Sequence, residues 1–277
     1  MSNAPVSKKV ALSYINDEVA SPGSVPALDR SLDICELLSA SPTGLTLSEL
    51  ADELGFPKNA VFRITQTLLA RGYLSRDAST RAFHLTQRML RLSPPHWAGV
   101  SLPALARDSM TALRDATRET IQLGVPNGLE GVIIDQVTGL EPLRIAVDLG
   151  LRFPLHNNAP GKLLLAHQSN EQRAETFSQI KLTASTPRTI TTKKELVAEC
   201  ERIVANGYST DYAEADEGIH CIAGPIFGPE KGTARDLVGT LWITGPAKRL
   251  PKSRFKELGE LAAAAGARVT RRIGAMV

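Results

Sequence analysis

Residues 44–71, GLTLSELADELGFPKNAVFRITQTLLAR, decide how the first third of the chain is read. Thr46 followed three positions later by Glu49 is a capping box, in which hydroxyl and carboxylate satisfy each other's backbone N–H groups at a helix start. Leu47, Leu50, Ala51 and Leu54 then make one apolar face, and Gly55 supplies the positive φ of a C-cap. Pro57 opens a second helix with Val61, Ile64 and Leu68 as its core stripe, closed by Arg71 and Gly72. Upstream, Leu28, Leu32, Cys35 and Leu38 stand at helical spacing with Pro26 tolerated in the first turn, so three helices precede residue 72. Downstream, residues 73–76, a polar turn at 77–80 and the alternation of residues 81–85 predict a hairpin. Thr86 caps a further helix expected to reach Leu92, before Pro94 and Pro95 disfavour helical geometry.

Three helices and a hairpin of this kind form a winged helix-turn-helix, whose second motif helix enters the major groove of DNA. With Val61, Ile64 and Leu68 assigned to the core, the other face of that helix offers Lys58, Asn59, Phe62, Arg63, Gln66 and Thr67. Arginine pairs with guanine, Asn or Gln with adenine, and an exposed Phe touches a thymine methyl. Charge separates the two halves of this region. Residues 21–56 hold one arginine against six acidic groups, whereas residues 57–92 hold Lys58, Arg63, Arg71, Arg76, Arg81, Arg88 and Arg91 against Asp77 alone. Such a reversal suits a phosphate-facing surface, where counterion release drives association, and Arg81 on the expected wing joins that face. The alternative for any one of these arginines is simple solvation. Double-stranded operator DNA is the expected partner.

The chain has 277 residues, 43% of them hydrophobic and 22% charged, with a net charge of +3, enough for two ordinary domains. Cys35, Cys200 and Cys221 are an odd, unclustered set, which fits a reducing compartment and has no zinc spacing. No uncharged apolar run approaches the length of a membrane span, so a cytoplasmic, membrane-free protein is expected. The expected division is a flexible arm at 1–22, the DNA-binding domain at 23–92, a linker at 93–101 and a second domain at 102–277. That second domain reads as α+β with a largely antiparallel sheet. Helices are expected at 101–116, 159–177, 193–205 and 251–273, and strands at 119–125, 131–138, 143–147, 207–211, 219–227 and 236–244.

The stretches starting at Val25 (VPALDRSLD), Gly44 (GLTLSELA), Leu54 (LGFPKNAVFR) and Ala70 (ARGYL) resemble the IclR family of regulators. The likeness resumes at Ala159 (APGKLLLAH), Gly207 (GYSTD) and Glu217 (EGIHCIAGPI). The resemblance implies a winged-helix domain, a linker helix, a GAF-like α/β effector-binding domain, and assembly into homodimers or homotetramers. Pro94 and Pro95 depart from it, falling where relatives run a continuous linker helix. By the same resemblance the effector pocket falls on Ile145, Phe153, Ala159, Pro160, Asp211, Ile219, Cys221, Trp242 and Thr244. Trp242 stands where relatives that bind small keto acids tend to carry a small polar residue, so the expected effector is an aromatic or otherwise bulky carboxylic acid. Asp211, Thr244 and the backbone N–H groups of residues 159–162, at a helix start, would hold its carboxylate or a hydroxyl.

Each pocket residue also has a plainer reading: Trp242 as strand core, Cys221 as a small buried hydrophobe, Asp211 as a turn or cap. The second domain would then only oligomerise, its pocket filled by Phe153 and Trp242. Catalysis finds no support. His220 and Cys221 are adjacent on a strand and point to opposite faces, which separates a thiol from its base. His84, His96, His156 and His167 show no ligand spacing, and Ala159-Pro-Gly-Lys-Leu163 lacks the first glycine and the Ser or Thr of a phosphate loop. Neither a cofactor nor a metal is expected.

Overall fold

The computed structural model describes residues 24–276 except 40, 42, 91–94 and 232–233. The expected arm at 1–22, the end of the helix beyond residue 90, and Pro94 lie outside the described residues. The chain divides into two compact units, Met1–Ser93 and Pro94–Val277.

In the first unit α1 (Pro26–Ser39), α2 (Leu47–Leu54) and α3 (Lys58–Ala70) precede a hairpin of β1 (Leu74–Arg76) and β2 (Phe83–Leu85), then a short α4 (Gln87–Leu90). The capping box of α2 forms as written, Thr46 N–H donating to Glu49 Oε2 and Glu49 N–H to Thr46 Oγ1, and Gly55 takes φ +66° at its end. Leu45 bridges Phe83, adding a third short rung beside the hairpin. The core joins Ile34, Leu38, Leu50, Val61, Leu74 and Phe83. The expected stripe on α1 is corrected in part: Leu38 is buried as expected, but Leu28 is 57% and Leu32 54% exposed, and Ile34, outside that stripe, is buried instead. Two apolar stripes share that helix, and α2, α3 and the hairpin cover only the one through Ile34. Thr65 also enters the core of α3, its hydroxyl satisfied by the carbonyls of Val61 and Phe62.

The second unit begins with a two-stranded hairpin, β3 (His96–Trp97) and β4 (Val100–Ser101), that the sequence reading did not foresee, followed by α5 (Leu102–Thr117). A six-stranded sheet is built from β5 (Thr120–Asn127), β6 (Glu130–Val137), β7 (Arg152–Pro154), β8 (Ser209–Tyr212), β9 (Ile219–Lys231) and β10 (Ala234–Pro246). Its order is β7-β6-β5-β10-β9-β8, with every neighbouring pair antiparallel. The remaining helices are α6 (Ala159–Ala166), α7 (Asn170–Gln179), α8 (Lys193–Asn206) and α9 (Phe255–Gly274). The one helix expected at 159–177 is two, because Ser169 and Gln172 form a second capping box. Residues 143–147 are loop rather than strand. Their anchorage comes from the Gln136 side chain, which donates to Val147 O at 2.8 Å and accepts from Val147 N at 3.3 Å.

Successive residues on β9 show which helix covers which face. A Cβ on Gly224 would lie 2.2 Å from Ala262 O of α9, so that residue must be glycine for the helix to approach. Its neighbour Ala223 belongs instead to the cluster formed with α6, where Leu163, Leu164, Leu165, Phe153, Cys221 and Trp242 pack. The sheet is therefore covered by α9 and α5 on one face and by α6, backed by α8, on the other.

Candidate functional site

On α3, Lys58, Asn59, Phe62, Arg63, Gln66 and Thr67 are all exposed, on the side away from Val61 and Thr65. Phe62 is 48% exposed, a large apolar side chain left open on a helix whose other side is core. Lys58 Nζ donates to Ser48 Oγ at 3.3 Å, and the Thr67 hydroxyl turns back to Arg63 O. The wing is braced by one carboxylate: Asp77 Oδ1 accepts from Ser79 N and Oγ and from Thr80 N and Oγ1, at 2.6–3.0 Å. Those donors hold the Asp77 carboxyl well below the usual carboxylate range. Arg81 is exposed at the end of this turn with φ +62°, and its carbonyl accepts from Arg76 Nε. Arg76 and Arg88 lie over the rings of Phe83 and Tyr73, each 5.1 Å from the centroid, so two guanidinium groups are fixed by stacking, a feature the sequence did not disclose.

In the second unit strand register sorts the α6 face into two rows. One runs Gln136, Gln122, Trp242, Ala223, Ser209 across β6, β5, β10, β9 and β8; the other runs Thr120, Thr244, Cys221, Asp211. Phe153 on β7 lies over Gly131, where a Cβ would fall 2.2 Å from the ring, and meets Trp242 edge to face. Phe153, Ala159, Cys221 and Trp242 share one buried cluster with Ile219 packed against it. Pro160 is buried, and Thr244 accepts from the Cys221 thiol at 3.3 Å. Ile145 stands apart: it is half-buried outside that cluster, and Val147 and Leu149 of the same loop are the residues packed against it.

The helix start expected to hold a carboxylate is occupied. Asn158 Oδ1 accepts from Gly161 N at 2.8 Å, Lys162 N donates to Asn158 O at 3.0 Å, and Pro160 has no N–H. Burial pushes the Asp211 carboxyl up to about 7, opposed by the Glu214 N–H that donates to it at 2.6 Å. Burial also raises the Cys221 thiol, which is a poor thiolate here. His220 is turned to the other face, bonded to Leu250 O and packed on Tyr212 and Phe255, so the two adjacent residues do not form a couple.

Sequence reading missed three groups on or behind this face. Among the described residues Gln122 Nε2 and Ser209 Oγ are buried without hydrogen-bond partners, both in the row of Trp242. Lys162, in the middle of an apolar run, is fully buried and donates to Glu199 Oε1 at 3.0 Å and Glu214 Oε1 at 2.5 Å. Nothing local marks these residues, since the lysine's partners lie 37 and 52 positions away.

Comparison with known proteins supplies the family. The helix-turn-helix domain of IclR matches residues 27–78, and the family described as bacterial transcriptional regulator IclR C-terminal matches residues 98–271. The chain is 32% identical over 238 residues to the HTH-type transcriptional regulator BhcR of Paracoccus denitrificans, covering 86% of this chain and 84% of that one. It is 30% identical over 252 residues to the HTH-type transcriptional regulator KdgR of Dickeya chrysanthemi, covering 91% of this chain and 78% of that one. Among solved structures, an ICLR regulator from Silicibacter superposes with a TM-score of 0.70 at 23% identity, over 90% of this chain and 96% of that one, a likeness of fold. Among the described residues no helix is long and apolar enough to cross a membrane. A capped helix-turn-helix with a braced wing, an antiparallel sheet under α6 and relatives that are transcriptional regulators rather than enzymes have one reading: the chain belongs to the IclR family, as a transcriptional regulator with a helix-turn-helix domain and a C-terminal effector domain.

Proposed function

We propose that the chain is a ligand-responsive regulator of a catabolic operon. Residues 23–92 read operator DNA, residues 93–101 link, and residues 102–277 bind an effector and assemble the protein. Lys58, Asn59, Phe62, Arg63, Gln66 and Thr67 face the major groove and Arg81 the flanking backbone, in a homodimer or homotetramer whose paired α3 helices meet half-sites about one helical turn apart. The effector is an aromatic or bulky carboxylic acid received among Phe153, Ala159, Pro160, Ile219, Cys221, Trp242 and Thr244. Asp211 borders this site and Ile145 lies at its margin. The observation that carries this reading is the pair of buried, unpartnered donors, Gln122 Nε2 and Ser209 Oγ, in the row of Trp242. Unmade hydrogen bonds of buried groups cost about 1–3 kcal/mol each, which a ligand oxygen relieves. Effector binding shifts DNA occupancy only by its differential affinity for the two states.

A second reading has its own support. The edge-to-face contact of Phe153 and Trp242 fills space that a ligand would use, as in a domain that only oligomerises. A thermal-shift screen against hydroxybenzoates, glyoxylate and pyruvate separates the two. A ligand a hundredfold above its Kd adds about 2.7 kcal/mol, so a clear rise in Tm with an aromatic acid supports the sensor. A rise with glyoxylate or pyruvate alone overturns the effector class, and no rise with any acid favours the ligand-free module.

A further inference from the structure

β8 is an edge strand, and Tyr212 on it faces away from Asp211, with its ring against His220 and Phe255. Beside it lies a groove of about 640 Å³ whose walls include Arg188, Arg202, Tyr208, Tyr212, Glu214 and Lys252. The Arg188 guanidinium sits 4.0 Å from the Tyr212 ring centroid and the Lys252 ammonium 5.1 Å from it. Neither cation has a carboxylate partner among the described residues.

The other wall is acidic and already balanced. Arg202 grips Glu199 through two bonds of 2.8 and 2.6 Å, and Lys162 bridges Glu199 and Glu214. These two cations and two carboxylates cancel, which leaves Arg188 and Lys252 as excess positive charge. Glu214 is 7% exposed, and among the described residues its Oε2 has no hydrogen-bond partner although the residue lines the groove. A buried carboxylate oxygen without a donor is an acceptor that calls for one.

We propose that this groove is a second small-molecule site, which binds a hydroxy- or amino-carboxylate with its carboxylate between Arg188 and Lys252 and its hydroxyl or ammonium donating to Glu214 Oε2. Stacking on Tyr212 pre-orders the guanidinium, whose fork suits a carboxylate. The volume falls within the range of small-ligand clefts. The site is separate from the α6 face and stands whether or not an effector binds there. Its links to that face are the bond from Glu214 N–H to Asp211 Oδ1 and the Lys162 bridge from α6 to Glu199 and Glu214.

The test is calorimetric titration of the full chain with glycerate, serine and propionate, the last lacking a donor. Glycerate, serine or both should bind at least about tenfold more tightly than propionate, a difference of about 1.4 kcal/mol. Replacing Arg188→Ala and Lys252→Ala together should abolish that binding without moving Tm, and Trp242→Phe, which keeps an aromatic ring in the core, should leave it intact. If the double variant loses stability, Lys252→Gln alone should still weaken binding. Saturable binding of neither glycerate nor serine, equal binding of propionate, or affinity unchanged in the cation variants would overturn the proposal. Loss through Trp242→Phe would overturn its separateness, since the probes would then occupy the α6 face.

Discussion

Trp242 and Phe153 meet edge to face across the α6 side of the sheet, ring centroids 5.5 Å apart at 70°. Each ring closes the space the other would leave, and Trp242 is only 3% exposed. Truncating such a buried aromatic removes about 3–5 kcal/mol of stability. Trp242→Ala is therefore expected to lower Tm and, if this face receives an aromatic acid, to abolish the ligand-induced rise. A variant that is destabilised yet keeps the full rise would place the ligand elsewhere.

Asp211 gives the second unit a dependence on pH. Its carboxyl, pushed up to about 7 by burial, keeps a proton that the unfolded chain releases near the ordinary carboxylate range. Its contribution to stability is greatest at acid pH and declines as pH climbs from about 4 through 7. Asp211→Asn retains the acceptor for Glu214 N–H and cannot ionise, so its Tm relative to wild type should improve between pH 5 and pH 8. A difference independent of pH would show that Asp211 does not titrate in that window.

Lys162 makes the strongest claim on stability. Removing one partner of a buried ion pair leaves an uncompensated charge, at about 3–5 kcal/mol. Lys162→Met should lower the urea midpoint accordingly, and adding Glu214→Gln should restore part of it. No recovery in the double variant would mean that the penalty comes from packing rather than from stranded charge.

Arg63 is exposed on α3, so its replacement tests DNA contact without disturbing the core. Arg63→Ala should weaken operator binding by about 1–3 kcal/mol if the side chain reads a base, or lower the salt slope by about one if it meets a phosphate. Gel-shift titrations at several salt concentrations distinguish these, and unchanged affinity and slope would remove Arg63 from the interface.

What could be read from the sequence was what neighbours along the chain decide. The Thr46–Glu49 box, the Gly55 cap and the exposed face of α3 follow from residues within four positions of each other, and they stand in the structure as read. The Ser169–Gln172 box carries the same signal, but it falls inside the single helical stretch expected at 159–177. The α1 stripe holds at Leu38 but not at Leu28 and Leu32, because contact with α2, α3 and the hairpin, which no spacing within one helix reveals, selects the side of α1 that carries Ile34. Loop 143–147 alternates like a strand, but it is fixed by a side-chain amide on Gln136 rather than by a ladder. The Lys162 cluster and the groove at Tyr212 depend on residues dozens of positions apart, which no local pattern announces.

Asn158 has one more consequence. By capping α6 it removes most of the backbone donors from the face beneath, so a molecule arriving there is met chiefly by side chains: Gln122, Ser209, Cys221, Trp242 and Thr244. A main-chain N–H is present whatever residue other than proline stands there, whereas a side chain changes with each substitution. If this face receives the effector, a sheet that presents side chains beneath a helix whose start is already capped is open to re-aiming by point substitution, with the framework that supports it unaltered.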